Sequence, residues 1–171
     1  MGTPGLRVTE DGSAGDRGPV EDPGVGVDRV FTGEFRHAVD EKGRLAVPAK
    51  FRGQLEGGAV VSRWIDGCLA IHTRAGWDEL ADRVGSLPVT APDARLFQRA
   101  IFAGASEAEI DRQGRIRIPA FLRDEAGLEG EALIIGARAH AEIWSPTRWA
   151  EYRRAMDDPA AFAEAISGLG I

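Results

Sequence analysis

At 171 residues the chain can form one compact domain, or two small modules that share a core. A single cysteine excludes an internal disulfide framework, and three scattered histidines supply no zinc-ligand spacing, so neither a metal nor another cofactor is expected. Twenty-seven acidic against 21 basic side chains leave a formal charge of −6, so bulk electrostatics would not draw in a polyanion and any nucleic-acid site must gather positive charge locally.

Residues 1–29 hold seven glycines, three prolines and almost no large apolar side chain. That is too little buried surface to offset the entropy of ordering, and a disordered Gly/Pro-rich extension of net charge −3 is expected. It lacks the basic, apolar, small-residue order of a signal peptide, and no apolar run further on approaches the roughly 18 residues that span a bilayer. A cytoplasmic protein with no membrane partner is expected. Because patterned sequence starts abruptly at Val30-Phe31, translation is expected to begin at Val30.

From Glu34 onward the chain reads as one unit used twice. DEKGRLAVPAKFR, Asp40 to Arg52, returns 71 residues later as DRQGRIRIPAFLR, Asp111 to Arg123. Six of thirteen positions are identical, against about one by chance. In each copy Asp-x-x-Gly-Arg predicts a tight turn, with the aspartate accepting from backbone N–H groups and Gly43 or Gly114 taking positive φ. Leu45 with Val47, and Ile116 with Ile118, mark the inward side of a short strand, and Pro48 and Pro119 read as first residues of the helices that follow.

VVSRWIDGCLAIH, Val60 to His72, predicts a hairpin about Asp66-Gly67, and ALIIGARAHAEIW, Ala132 to Trp144, predicts its counterpart with a looser turn. Each copy then enters a helix carrying a tryptophan, Trp77 or Trp149. GWDELADRV and DARLFQRAI predict linking helices separated by Pro88 and Pro92, and SPTRWAEYRRAM and PAAFAEAI predict two terminal helices that open on proline. The expected organisation is α+β: repeat 1 over 34–77, linking helices over 78–104, repeat 2 over 106–149 and C-terminal helices over 150–171.

Asp40, Gly43, Asp111 and Gly114 shape turns. The basic residues beside them are candidates for contact with DNA: Arg36, Lys42 and Arg44 in the first copy, Arg115 and Arg117 in the second. Arg44 and Arg115 stand at equivalent turn edges, opposite the apolar positions of their strands. Residues 34–52 carry five basic and three acidic side chains, and 105–123 carry four and three, so both motifs are positive islands in an acidic chain. Two readings of the arginines stand side by side: ion pairs with Asp40 and Asp111 or with a neighbouring subunit, or a face turned to phosphates. Cys68 reads as a small core hydrophobe, and the histidines and tryptophans as packing residues. No paired carboxylates, phosphate-cradling glycine loop or nucleophile–base pair occurs, so an enzyme is not expected.

FTGEFRHAVDEKGRLAVPAKFR, followed by the second DRQGRIRIPAFLR and by EIWSPTRWAEY, resembles the MraZ family of bacterial regulators in the AbrB-like superfamily, over about residues 30 to 155. The resemblance implies a duplicated swapped-hairpin β-barrel, double-psi-like, with flanking helices. It also implies ring-shaped homo-oligomers associated with the nucleoid. These would bind double-stranded DNA at short direct repeats upstream of the protein's own gene and repress that promoter and a division and cell-wall gene cluster. It places the family's arginine on Arg44 and Arg115 and its basic turn position on Lys42, where the second copy has Gln113. A larger loss is therefore expected from Arg44→Ala, which Arg36 and Lys42 flank, than from Arg115→Ala. A ring would give an acidic protein its grip by avidity. The alternative is a ring-forming scaffold whose basic turns face other protein.

Overall fold

A computed structural model describes residues 30–170, so the expectation for residues 1–29 falls outside the described residues. The first copy runs β1 Glu34–Ala38, β2 Arg44–Ala46, α1 Ala49–Leu55, β3 Ala59–Arg63, β4 Leu69–Thr73, α2 Arg74–Gly85 and α3 Pro92–Ala103. The second repeats that order as β5 Ala105–Ala108, β6 Arg115–Arg117, α4 Ala120–Ala126, β7 Glu131–Gly136, β8 Ala141–Trp144, α5 Pro146–Asp157 and α6 Pro159–Ser167. The fold is mixed α+β with antiparallel strands throughout.

The two copies exchange strands. Six strands form one sheet in the order β1-β7-β8-β4-β3-β5, so the first strand of each copy pairs with the third strand of the other. The remaining two form a separate ribbon, β2 with β6. Leu45 sits opposite Ile116 in that ribbon and Ala70 opposite Glu142 at the centre of the sheet. These partners lie 71 and 72 residues apart, within one residue of the repeat spacing, so a pseudo-twofold axis passes close to both pairs.

Burial follows from this exchange. Central strands β3 and β4 are covered on both faces, which is why AVVSR and LAIHT do not alternate in polarity. One core cluster takes Leu45, Val47, Phe51 and Leu55 from the first copy and Ile116, Ile118, Leu122 and Ala126 from the second. Each large aliphatic side chain buried there contributes about 1.5–3 kcal/mol, and because the contributions interleave, each copy completes the core of the other. The opposite face of the sheet carries a second cluster of Cys68, Leu133, Trp144 and Trp149.

Local signals position the elements. Asp66 and Gly67 both take positive φ, 60° and 78°, as a primed hairpin turn requires. Ser145 accepts from Arg148 N–H at the start of α5, and Asp158 accepts from Ala160 N–H at the start of α6. Pro146 and Pro159 open their helices as expected, but Pro48 and Pro119 lie one residue outside theirs, with ψ of 135° and 147°. Proline fixes φ near its helical value and leaves ψ free, so each can end the strand-side backbone just as readily. Among the described residues no helix is long and apolar enough to cross a membrane.

Candidate nucleic-acid interface

The β2–β6 ribbon is three residues long on each side, and alternation sorts it cleanly. Leu45 and Ile116 are fully buried, while Arg44, Ala46, Arg115 and Arg117 share the outer face. Arg44 pairs with Arg117 in register and Ala46 with Arg115, so three guanidinium groups and one methyl group occupy the four outward positions.

Each end of the ribbon is closed by one of the Asp-x-x-Gly-Arg turns, and the two turns use the same bonds. Asp40 N–H donates to Arg44 C=O and Gly43 N–H to Asp40 C=O; Asp111 N–H donates to Arg115 C=O and Gly114 N–H to Asp111 C=O. Asp40 Oδ1 accepts from the backbone N–H of Lys42 and Arg44, both at 2.9 Å, and Asp111 Oδ1 from those of Gln113 and Arg115 at 2.9 and 3.0 Å. The arginine backbone N–H is the main reason that both carboxyl groups sit below the usual carboxylate range. Gly43 and Gly114 adopt φ of 75° and 76°. The turn glycines also accept across the dyad: Ile118 N–H donates to Gly43 C=O and Val47 N–H to Gly114 C=O, each at 2.8 Å.

Side chains then cross between repeats. Arg52 of α1 lies over Gly114, its Nε donating to Val47 C=O at 2.9 Å. Arg123 of α4 lies over Gly43, and its Nε is buried without a hydrogen-bond partner among the described residues. Glycine is needed at both turn positions for φ and for this close approach.

The charges are partly spent within the ribbon. Arg44 Nε donates to Asp40 Oδ2 at 2.6 Å and Arg115 Nε to Asp111 Oδ2 at 3.0 Å, while Arg115 Nη1 lies 3.7 Å from Asp40 Oδ2. Asp111, Arg115, Asp40 and Arg44 thus form one chain of alternating charge, at the surface and half-buried rather than hidden. The side chains of Arg44 and Arg115 keep 34% and 24% of their accessible surface. The intrachain ion pairs of the first reading are therefore present, and the paired arginines still keep part of their surface accessible.

Lys42 is exposed at the tip of the first turn. Arg117 and Arg112, at the ribbon edge and second turn, are exposed and have no ion-pair partner among the described residues. Arg112 was not among the residues singled out from the sequence; its signal is its place inside the Asp-Arg-Gln-Gly turn. Arg36 lies on β1 in the larger sheet and not on the ribbon, with Nη1 2.8 Å from Glu131 Oε2. Ranking Arg44 above Arg115 because of its basic neighbours therefore loses the half that rested on Arg36.

Trp64, Trp144, Trp149, His72 and His140 pack among themselves rather than on the ribbon. Trp144 and Trp149 are buried against each other, and Trp64 meets His72 and His140 edge-on at 5.2 and 4.8 Å. Cys68 is 2% exposed, and burial pushes its thiol above the ordinary range, which leaves it an inert packing group.

A family model described as "MraZ protein, putative antitoxin-like" matches residues 30–100 and again 101–166. A protein of Thermomicrobium roseum named "Transcriptional regulator MraZ" is 50% identical over 121 residues, covering 71% of this chain and 85% of its own length. Proteins of the same name from Roseiflexus castenholzii and Moorella thermoacetica are 47% and 45% identical, covering 82% and 83% of this chain and 99% and 100% of theirs. The first family match ends at the third turn of α3, so the boundary falls where the second copy's first strand is about to begin.

Proposed function

The chain belongs to the MraZ family, and we propose that it is a DNA-binding transcriptional regulator that turns the β2–β6 ribbon and its two end turns toward the duplex. The observation that carries this reading is the outer face of the ribbon, where three arginines stand over a fully buried Leu45–Ile116 pair. A two-stranded ribbon fits the width of the major groove, and guanidinium groups can serve both phosphates and guanine edges. Lys42, Arg44, Arg115 and Arg117 are the contacting set, while Arg36 is held by Glu131 on another strand.

In this reading the exchange of first strands between copies is the swapped-hairpin arrangement of an AbrB-like barrel, and subunits assemble as rings. Few unpaired cations per subunit mean weak single contacts, so several ribbons must meet spaced DNA repeats at once. The targets are short direct repeats upstream of the protein's own gene, and the outcome is repression of that promoter and of a division and cell-wall cluster, in the cytoplasm at the nucleoid. No enzymatic step is assigned.

A gel shift of the full chain against DNA from upstream of its gene tests the reading. Binding should be lost in Arg44→Ala with the oligomer intact. A protein-interaction scaffold is the second reading, favoured by the ion pairs that already occupy Arg44 and Arg115. Salt separates them: counterion release gives log affinity a slope of about −0.9 for each phosphate contact, whereas a scaffold ignores DNA at every salt concentration.

A further inference from the structure

The two halves of the ribbon are related by a pseudo-twofold axis in backbone but not in charge. Asp40 offsets Arg44 and Asp111 offsets Arg115, with Asp40 also 3.7 Å from Arg115. What remains differs. In the first copy the turn carries Glu41 and Lys42, both exposed and of opposite charge, and Ala46 stands at the outward position of the strand. In the second copy the equivalent places hold Arg112, neutral Gln113 and Arg117. The formal charge is therefore zero over residues 40–46 and +2 over residues 111–117. Glu107 and Glu109 line a groove of about 500 Å³ beside Arg117, but Glu107 is held by Arg74 at 2.7 Å, and neither carboxylate reaches ion-pair distance of Arg117.

Resting on the DNA-binding reading above, we infer that the second half of the ribbon supplies the electrostatic grip, with Arg112 and Arg117 as the principal phosphate contacts. Within the contacting set Arg44 and Arg115, already paired with Asp40 and Asp111, release less charge and also hold the turns in shape. The cause is free charge: a guanidinium already 2.6 Å from a carboxylate releases little on meeting a phosphate, whereas an unpaired one displaces condensed counterions in full. A twofold-symmetric ribbon would lie on a duplex equally well in either direction. Loading one half gives each subunit a preferred direction along the DNA.

The pseudo-symmetry also provides the test. Ala46 occupies the place in the first copy that Arg117 occupies in the second, on the exposed side of the strand, so an arginine there restores the charge across the axis. Binding of the full-length protein to DNA from upstream of its gene, and to a scrambled duplex of equal length, is measured from 50 to 300 mM salt. Arg117→Ala and Arg112→Ala should each flatten the salt slope by about 0.9 per subunit seated on the duplex, and Ala46→Arg combined with Arg117→Ala should bring the slope back. Oligomer size by light scattering should be unchanged in all three. A wild-type slope in both single variants, or a flattened slope that Ala46→Arg fails to restore, overturns the assignment. Absence of binding by the wild-type protein instead removes the DNA-binding reading beneath it.

Discussion

Arg52 and Gly114 belong to different repeats, yet the guanidinium of the one lies directly over the α-carbon of the other. Its dyad mate is Arg123 over Gly43, and the two contacts are not equally rigid. A methyl group at Gly43 would meet the carbonyl oxygen of Ile118 at 2.8 Å as well as Arg123, whereas at Gly114 the nearest atoms all belong to the Arg52 side chain. Gly43→Ala should therefore destabilise more than Gly114→Ala. Left-handed backbone costs each variant about 1–2 kcal/mol, and overpacking against backbone adds about 1–3 kcal/mol at Gly43 only. Urea unfolding compares the two, and equal losses would mean that Ile118 C=O moves aside freely.

Removing an acid should strengthen DNA binding. Asp40 Oδ1 fixes the turn through backbone N–H groups while Oδ2 neutralises Arg44 and reaches toward Arg115. Asn keeps a side-chain oxygen for the turn and drops the charge. Asp40→Asn should then tighten binding several-fold at low salt and steepen the salt slope, while stability falls slightly because the turn hydrogen bonds weaken. Fluorescence anisotropy across a salt series reads this directly, and weaker binding with a fully folded variant would count against phosphate contact at this turn.

How much of this was legible depended on the range of the interaction. The turn Asp40 to Arg44 is governed by five consecutive residues, so its hydrogen bonds could be anticipated from the aspartate and the glycine. The hairpin at Asp66-Gly67 was legible for the same reason. That β2 pairs with β6, and that β1 crosses to β7, depends on packing of segments 71 or more residues apart and leaves no local mark. The repeat spacing announced two equivalent units without saying that they interlock. Arg36 illustrates the limit at the site: its partner Glu131 lies 95 residues away, so its neutralisation was invisible.

Arg36 should accordingly be the weakest of the candidate contacts. Its guanidinium is 60% exposed and paired with Glu131, which makes it an ordinary surface ion pair worth about 0–1 kcal/mol. Arg36→Ala should leave affinity within about twofold of wild type and the salt slope unchanged. A loss comparable to that of Arg117→Ala would extend the DNA face from the ribbon onto β1.

Acid should loosen the fold through His72, which is 4% exposed on β4, 5.2 Å from Trp64 and 5.3 Å from His140 by ring centroids. Burial, with the adjacent His140 adding to it, pushes its pKa down from the ordinary 6.5 to about 4. The unfolded chain therefore binds a proton at this residue near pH 6.5, and the folded protein only near pH 4. Stability is full above pH 6.5 and falls as pH drops toward 4, because protons favour the state that binds them more readily. The loss across that window is on the order of 3 kcal/mol. Ser62 Oγ at 3.4 Å and the Trp77 ring at 5.6 Å also face His72, and neither carries a charge to offset a proton. Urea midpoints measured at half-unit steps from pH 7.5 to 4.5 should decline for the wild type, and His72→Gln should remove most of the decline below pH 6.5 while leaving the carboxylate-driven fall near pH 4. An identical profile in both proteins would place the acid sensitivity elsewhere in the fold.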